Sequence, residues 1–222
     1  KDFFKTSYYK FEKFSQIKKQ YLKQAPYPIL DFGIGESDQM PPIAVLDELT
    51  KQAYIYENRV YADNGIEPFK AAAKKHLKEI YQIDCDKQHL AINHVIGAKS
   101  ALCIIPFAFV SDEDVVICTT PGYQVLPTMA KWLKGKIYEV PLTKQNQYLP
   151  NLESIPVEIY QKTKIFLVNY PNSPTGAIAT KEFYAQLLKK AKQYGFLVVN
   201  DCVYGPLTYH TEPLSIFSIP DS

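Results

Sequence analysis

From about residue 90 onward, short apolar runs alternate with amphipathic segments along the chain. The apolar runs are bounded by glycine, proline or polar residues and predict strands at 91–96, 114–118, 136–140, 164–169 and 196–201. The amphipathic segments predict helices at 43–55, 66–81, 97–109, 124–134 and 180–194. Because the strands alternate with helices, the pattern indicates an α/β fold with a mostly parallel sheet in a three-layer α/β/α arrangement.

The last of these apolar runs leads directly into a carboxylate. Residues 196–199 are Phe, Leu, Val and Val, and they predict a central strand covered on both faces. Asp201 then falls at the carboxyl end of the strand, which is the edge where ligands bind in open α/β sheets. A buried carboxylate needs a positive partner or a proton, and a protonated ring nitrogen is one such partner. On its own, Asp201 is explained better as a cap of the following turn.

Two other strand ends carry residues suited to binding a phosphate and a flat ring. Gly97, Ala98 and Lys99 follow a predicted strand and open a helix, whose free backbone N–H groups can bind an anion. Tyr123 follows a proline–glycine pair at the end of another strand, where a fixed aromatic ring can stack on a ligand. Taken singly, an ordinary strand–helix turn and a core tyrosine are the simpler explanations.

The segment 169–176 is the most specific motif in the chain. Its sequence is Asn-Tyr-Pro-Asn-Ser-Pro-Thr-Gly, and its two prolines and glycine fix a non-helical turn just past a buried strand. The turn presents Asn172 and Ser173, whose side chains can donate hydrogen bonds to a ligand oxygen.

Composition and residue spacing exclude several other classes of protein. The 222 residues are 46% hydrophobic with a formal net charge of +2, which suits one large domain or two smaller ones. No basic block interleaves with aromatics as in nucleic-acid-binding proteins, and the longest apolar run, 101–110, is too short to span a bilayer. The four cysteines and four histidines lack metal-ligand spacing. We therefore expect a cytoplasmic protein with no metal site and no nucleic-acid or membrane partner.

The motif at 171–176, followed by Asp201 and Tyr204, resembles the signature of class I/II aminotransferases, the fold-type I enzymes that use pyridoxal 5′-phosphate (PLP). The 97–99 segment, Tyr123 and Tyr61 occur in the matching order, so the resemblance runs from about Asp31 to Tyr204. Within that superfamily, residues 30–36 and 61–66 look most like LL-diaminopimelate aminotransferases and their close relatives.

This resemblance implies a role for each motif. Asp201 would pair with the pyridine nitrogen N1 and Tyr204 would donate to the ring oxygen O3′, and these two are the catalytic candidates. Further cofactor contacts would come from Tyr123, which stacks on the ring, and from Gly97, Ala98 and Lys99, which hold the phosphate. Tyr61 would reach the phosphate of a neighbouring subunit, which implies a homodimer. Gly35 and Asn64 would contact the substrate.

Two positions depart from the family pattern. The family usually has Asn directly before Pro-Thr-Gly, whereas this chain has Ser173, so either Asn172 or Ser173 would contact O3′. In plant-type diaminopimelate enzymes a Glu lies three positions beyond the equivalent of Tyr61, whereas this chain has Asn64. The identity of the amino-acid substrate therefore stays open.

The family's Schiff-base lysine follows the strand of the pyridine-binding aspartate, but the last lysine of this chain is Lys192. We therefore expect residues 1–40 to form an arm and small-domain segment, and 41–222 to form a PLP-binding large domain without its C-terminal part. The expected activity is transamination between LL-diaminopimelate, or an aspartate-like amino acid, and a 2-oxo acid such as 2-oxoglutarate, in amino-acid biosynthesis. Two alternatives remain: a non-catalytic remnant that binds PLP or a partner chain, and another PLP reaction such as β-elimination.

Overall fold

The computed structural model describes residues 10–220 with the exception of 25, 34, 36, 63 and 64. Its contacts group the chain into two compact units, Lys1–Asp63 and Asn64–Ser222. The predicted division at residue 40 stays a prediction. No helix in the described part of the chain is long and apolar enough to cross a membrane.

The first unit contains two helices and one short turn of 3-10 helix. Helix α1 spans Lys10–Leu22, helix α2 spans Ile43–Ala53, and the 3-10 turn spans Tyr56–Arg59. Helix α2 lies within the helix predicted at 43–55, and α1 lies within the segment predicted as an arm. Lys18 of α1 forms an ion pair with Asp31. Four described apolar side chains of α1, those of Phe14, Ile17, Tyr21 and Leu22, are exposed.

The second unit alternates helices and strands. In chain order its elements are α3 (Glu67–Tyr81), α4 (Ala98–Phe109), β1 (Val115–Thr120), α5 (Val125–Trp132), β2 (Lys136–Pro141), α6 (Val157–Lys162), β3 (Thr163–Asn169), α7 (Lys181–Tyr194) and β4 (Leu197–Asp201). The four strands form one sheet in the order β2-β1-β3-β4, and every pairing is parallel. The predicted α/β class with a mostly parallel sheet is therefore confirmed.

Helices cover both faces of this sheet, which explains why the strands are nearly continuous apolar runs. Alternate residues of β1 and β3 point to opposite faces. On one face, strand residues pack with α6, α7 and the chain end in a cluster that includes Ile117, Phe166, Val168, Tyr160, Phe183 and Leu187. On the other face, strand residues pack with α4 and α5 in a cluster that includes Val116, Cys118, Ile165, Leu167, Leu102 and Leu126. The three-layer arrangement is confirmed by these two clusters.

Two strand predictions were wrong in detail. Residues 91–96 form no strand, because a strand requires a hydrogen-bonded neighbour and no described segment pairs with them. The strand that ends at Asp201 was predicted to be central and covered on both faces, but β4 lies at an edge of the four-stranded sheet. Its first residue, Leu197, is 38% exposed.

Helix α7 fixes where the chain enters β4, and its amino end depends on one side chain. The Thr180 hydroxyl oxygen accepts a hydrogen bond from the Phe183 N–H at 3.1 Å. We expect Thr180→Ala to lower the free energy of unfolding by about 1 kcal/mol, because it removes this N-terminal cap. Thr180→Ser keeps the hydroxyl and is the control. Urea unfolding measures both variants, and equal losses in the two would contradict the capping role.

Candidate active site

The carboxyl ends of three neighbouring strands bring the predicted binding loops to one edge of the sheet. Strands β1, β3 and β4 are parallel neighbours, so the loops that follow them leave from the same edge. Tyr123 follows β1, the 170–176 loop follows β3, and Tyr204 follows β4. Asn169 and Asp201 are register partners at the ends of β3 and β4, so the last two loops start side by side.

We expect the amino end of α4 at this edge as well. Only five residues, 110–114, join α4 to β1, and Leu102 of α4 packs with Val116 and Cys118 of β1. A helix joined to a parallel strand in this way usually runs antiparallel to it, which would place its first residue near the strand's carboxyl end. Gly97 caps α4 with φ of +73°, and no side chain caps the helix. A Cβ built at Gly97 would have no described atom within 4 Å, so there is space in front of the helix amides. Such an end can bind a phosphate.

Asp201 is the only charged side chain in the set of buried polar residues that the structure describes. It is 8% exposed. Burial raises the pKa of its carboxyl group, and the Val203 N–H, which donates to it, opposes part of that shift. No positively charged side chain of the described residues contributes to the shift. The site therefore has a carboxylate that a cationic ligand would stabilise.

The 170–176 loop is built around Asn172, which is 4% exposed. Its Oδ1 accepts hydrogen bonds from the Thr175 hydroxyl at 2.7 Å and the Thr175 N–H at 3.2 Å. Its Nδ2 donates to the Asn169 carbonyl at 3.2 Å. Asn172 is thus committed to the fold of its own loop, which leaves it poorly placed to contact a ligand.

Ser173 is held in the loop through its backbone, whereas Asn172 is held through its side chain. It is half-buried, and its structural hydrogen bond uses the backbone N–H, which donates to Asn169 Oδ1 at 2.7 Å. Its hydroxyl is therefore left to other partners. Since the Asn172 side chain is used within its own loop, we prefer Ser173 for the predicted contact to O3′, which stays a prediction.

The turn that carries Tyr204 is closely packed. Its hydrogen bond runs from the Gly205 N–H to the Cys202 carbonyl at 3.0 Å, and Tyr204 itself is 42% exposed. The Tyr81 hydroxyl lies 3.9 Å from the Cys202 sulfur. A Cβ at position 205 would overlap that hydroxyl and lie 2.9 Å from the sulfur, so glycine is required there.

The roles predicted for five further site residues are not tested by the structure. Tyr61 and Gly35 belong to the first unit, and Tyr61 is fully exposed. Asn64 lies outside the described residues. Lys99 and Tyr123 belong to the second unit. The roles proposed for all five stay predictions.

The residues that support the site were not predicted from the sequence. Asn169 links the two adjacent strand ends, while Tyr81 and Gly205 shape the turn that bears Tyr204. An asparagine that ends one apolar run and an aspartate that ends the next were visible in the sequence. The sequence did not show that these two residues are register partners in neighbouring strands, so no link between them could be inferred.

A cavity of about 610 Å³ lies elsewhere, along the outer edge of β4. Its walls include Leu77, Leu188, Leu197 and Val203, and it contains none of the residues predicted to bind the cofactor. It borders the side of β4 that no described strand covers. We therefore place the candidate site at the carboxyl edge of the sheet, where the polar groups converge, and not in this apolar cavity.

The raised pKa of Asp201 predicts a dependence of stability on pH. The folded protein holds this proton more tightly than the unfolded chain, so the stabilisation is full below the unfolded value near 3.9 and is lost as pH rises through the folded pKa. Near pH 7 we expect Asp201→Asn to raise the free energy of unfolding by about 1 kcal/mol, with the gain shrinking in acid. Urea unfolding from pH 4 to 7 without ligand measures this, and exposed Asp112→Asn is the control. A gain that persists unchanged at pH 4 would contradict the assignment.

The packing at Gly205 predicts a steric cost. We expect Gly205→Ala to destabilise the protein by about 1–3 kcal/mol, because the new methyl group overlaps the Tyr81 hydroxyl. The double variant Tyr81→Phe, Gly205→Ala removes that hydroxyl and should recover part of the loss. Thermal unfolding compares the two with Tyr81→Phe alone, and strictly additive losses would show that the two positions do not meet.

The sequence profile described as aminotransferase class I and II matches residues 27–219. A curated relative, LL-diaminopimelate aminotransferase of Methanocaldococcus jannaschii, is 43% identical over 96% of this chain and 51% of its own length. The enzyme of the same name from Maridesulfovibrio salexigens is 34% identical over 96% of this chain and 55% of its own length. The chain thus spans about half the length of the curated relatives it matches.

Solved structures agree with this assignment. Apo-BacF from Bacillus subtilis superposes with a TM-score of 0.90 at 25% identity, over 99% of this chain and 56% of that one. An aminotransferase from Staphylococcus aureus superposes with a TM-score of 0.83 at 28% identity, over 88% of this chain and 52% of that one. The cofactor of this family is PLP, as the sequence resemblance implied. The chain belongs to the aminotransferase class I and II family.

Proposed function

We propose that this chain forms the PLP-binding part of an aminotransferase that passes an amino group from an amino acid to a 2-oxo acid. The observation that carries the proposal is the buried Asp201 carboxylate, which ends β4 with no cationic partner among the described residues. The names of the relatives support LL-diaminopimelate as the amino donor. We propose 2-oxoglutarate as the acceptor, and a place in amino-acid biosynthesis in the cytoplasm.

The residues at the sheet edge fit the chemical groups of PLP. The uncapped amino end of α4, with space in front of Gly97, suits the phosphate, and the amide of Ala98 and the side chain of Lys99 would hold it. The buried carboxylate suits a pyridine nitrogen that must stay protonated. The hydroxyls of Ser173 and Tyr204 suit the ring oxygen O3′. The donor set therefore matches an anionic end, a cationic ring nitrogen and a phenolic oxygen.

Each residue then has one task in the proposed mechanism. PLP, when bound, supplies an electron sink for the carbanion that forms next to the amino group of the substrate. Asp201 would hold the proton on N1, which would make the ring a better acceptor of electrons. Ser173 and Tyr204 would fix the ring oxygen by hydrogen bonds, and Tyr123 would stack on the ring and exclude water.

Three further assignments complete the proposal. Tyr61 would contact the phosphate of a neighbouring subunit in a homodimer, while Gly35 and Asn64 would contact the substrate. Removal of the α-proton of the substrate requires a base, and we assign that role to no residue within 1–222. The proposed role of this chain is therefore to bind and polarise the cofactor.

Substitution of Asp201 tests the proposal. We expect Asp201→Ala to reduce amino transfer from LL-diaminopimelate to 2-oxoglutarate by about a hundredfold or more, because N1 would lose the carboxylate that keeps it protonated. Exposed Asp112→Ala is the matched control and should keep normal turnover. The assay uses the protein that carries this chain, and a coupled measurement of glutamate follows the reaction. Near-normal turnover of Asp201→Ala would refute the N1 assignment.

Three further measurements separate the choice of amino donor, elimination and binding without turnover. Replacement of LL-diaminopimelate by aspartate tests the donor, since an enzyme for LL-diaminopimelate should show the higher kcat/KM with it. Release of ammonia instead of glutamate formation would indicate elimination. Tight PLP binding with neither product would indicate a binding protein without turnover.

A further inference from the structure

Asn169 occupies an unusual position between the two halves of the proposed ring site. It is the last residue of β3 and is 4% exposed. Its Nδ2 donates to the Asp201 carbonyl at 2.7 Å. Its Oδ1 accepts from the Ser173 N–H at 2.7 Å. One side-chain amide thus joins the strand end that bears the carboxylate to the loop that bears the hydroxyl.

The two hydrogen bonds of the Asn169 side chain fix the backbone positions of its partners. Both bonds are at the short end for N–H donors, and both end on main-chain atoms. Asn169 therefore bonds to neither the Asp201 carboxylate nor the Ser173 hydroxyl, and it fixes the backbone from which each projects. A buried amide whose donor and acceptor are both satisfied holds its partners firmly.

Neighbouring groups do not duplicate this link. Strand pairing between β3 and β4 ends at the register pair formed by Asn169 and Asp201, so the ladder does not extend into the two loops. Asn172 braces its own loop through Thr175 and the Asn169 carbonyl. In these contacts, only the Asn169 side chain bonds to both the β4 end and the 170–176 loop.

We propose that Asn169 is a positioning residue that sets the distance between the carboxylate of Asp201 and the hydroxyl of Ser173, and so matches them to N1 and O3′ of the same pyridine ring. This inference rests on the proposed function. Asn169 itself touches neither cofactor nor substrate. Its Nδ2 fixes the backbone of Asp201, the proposed partner of N1, and its Oδ1 fixes the backbone of Ser173, the proposed partner of O3′. Substitutions that remove only one of these hydrogen bonds can therefore separate the two effects.

Binding of ring analogues tests this proposal without turnover. The ligands are pyridoxamine 5′-phosphate, which has no aldehyde to react with surface lysines, its 3-deoxy analogue without O3′, and its 1-deaza analogue with carbon in place of N1. Equilibrium dialysis gives the dissociation constant of each. We expect the wild-type chain to bind the parent ligand more tightly than either analogue, and Asn169→Ala to reduce each preference by about tenfold.

Asn169→Asp provides the sharper comparison. It keeps the oxygen that accepts from the Ser173 N–H but replaces the donor to the Asp201 carbonyl. We expect it to retain the preference for O3′ and to lose the preference for N1. Exposed Asn146→Ala is the control and should leave both preferences unchanged.

The outcomes distinguish this inference from the proposed function. If the Asn169 variants weaken all three ligands by the same factor, or leave both preferences intact, the positioning role is overturned while cofactor binding stands. If the wild-type chain shows no preference for the parent ligand over its analogues, the proposed function itself fails. Thermal unfolding of each variant without ligand identifies a loss of fold, and in that case Asn169→Asp decides the question.

Discussion

The site depends on a carboxylate that the folded chain buries without a cationic partner. Asp201 ends a strand whose other residues are mainly apolar, and burial raises the pKa of its carboxyl group. Removing a charge from water is costly unless a partner compensates for it. No described residue supplies that charge, so the free protein bears a cost that a cationic ligand would remove. Functional sites commonly lower the stability of the free protein in this way.

The parallel sheet explains how so few residues can define a site. Parallel strands end at one edge, and the helices that connect them return their amino ends to that edge. In the proposed site the strand ends would contribute a carboxylate, an aromatic ring and a hydroxyl-bearing loop, whereas α4 would contribute backbone amides. Two apolar clusters, one on each face, hold the strands in register. The chemistry at the edge is therefore positioned by packing that takes no part in it.

The sequence predicted five helices, α2 to α5 and α7, and four of the strands because each has its own period of apolar residues, whereas it did not predict α6. It failed at 91–96, since an isolated apolar run becomes a strand only beside a hydrogen-bonding neighbour. The prediction that β4 is central and covered on both faces was also wrong, because strand neighbours cannot be read from a single apolar run. The motif residues could be proposed from order and spacing, whereas Asn169, Tyr81 and Gly205 could not. Their importance comes from contacts between segments, and no local pattern of residues encodes those contacts.

The choice between Asn172 and Ser173 shows what the fold adds to a motif. Both side chains can donate to a ring oxygen, so residue type alone does not separate them. In the folded loop, Asn172 is buried and bonded to Thr175 and Asn169, whereas Ser173 is anchored through its backbone. A serine hydroxyl has a shorter reach than an asparagine amide, so the backbone that carries it must be placed more accurately. The Asn169 side-chain amide provides this accuracy, because it accepts from the Ser173 N–H and donates to the Asp201 carbonyl.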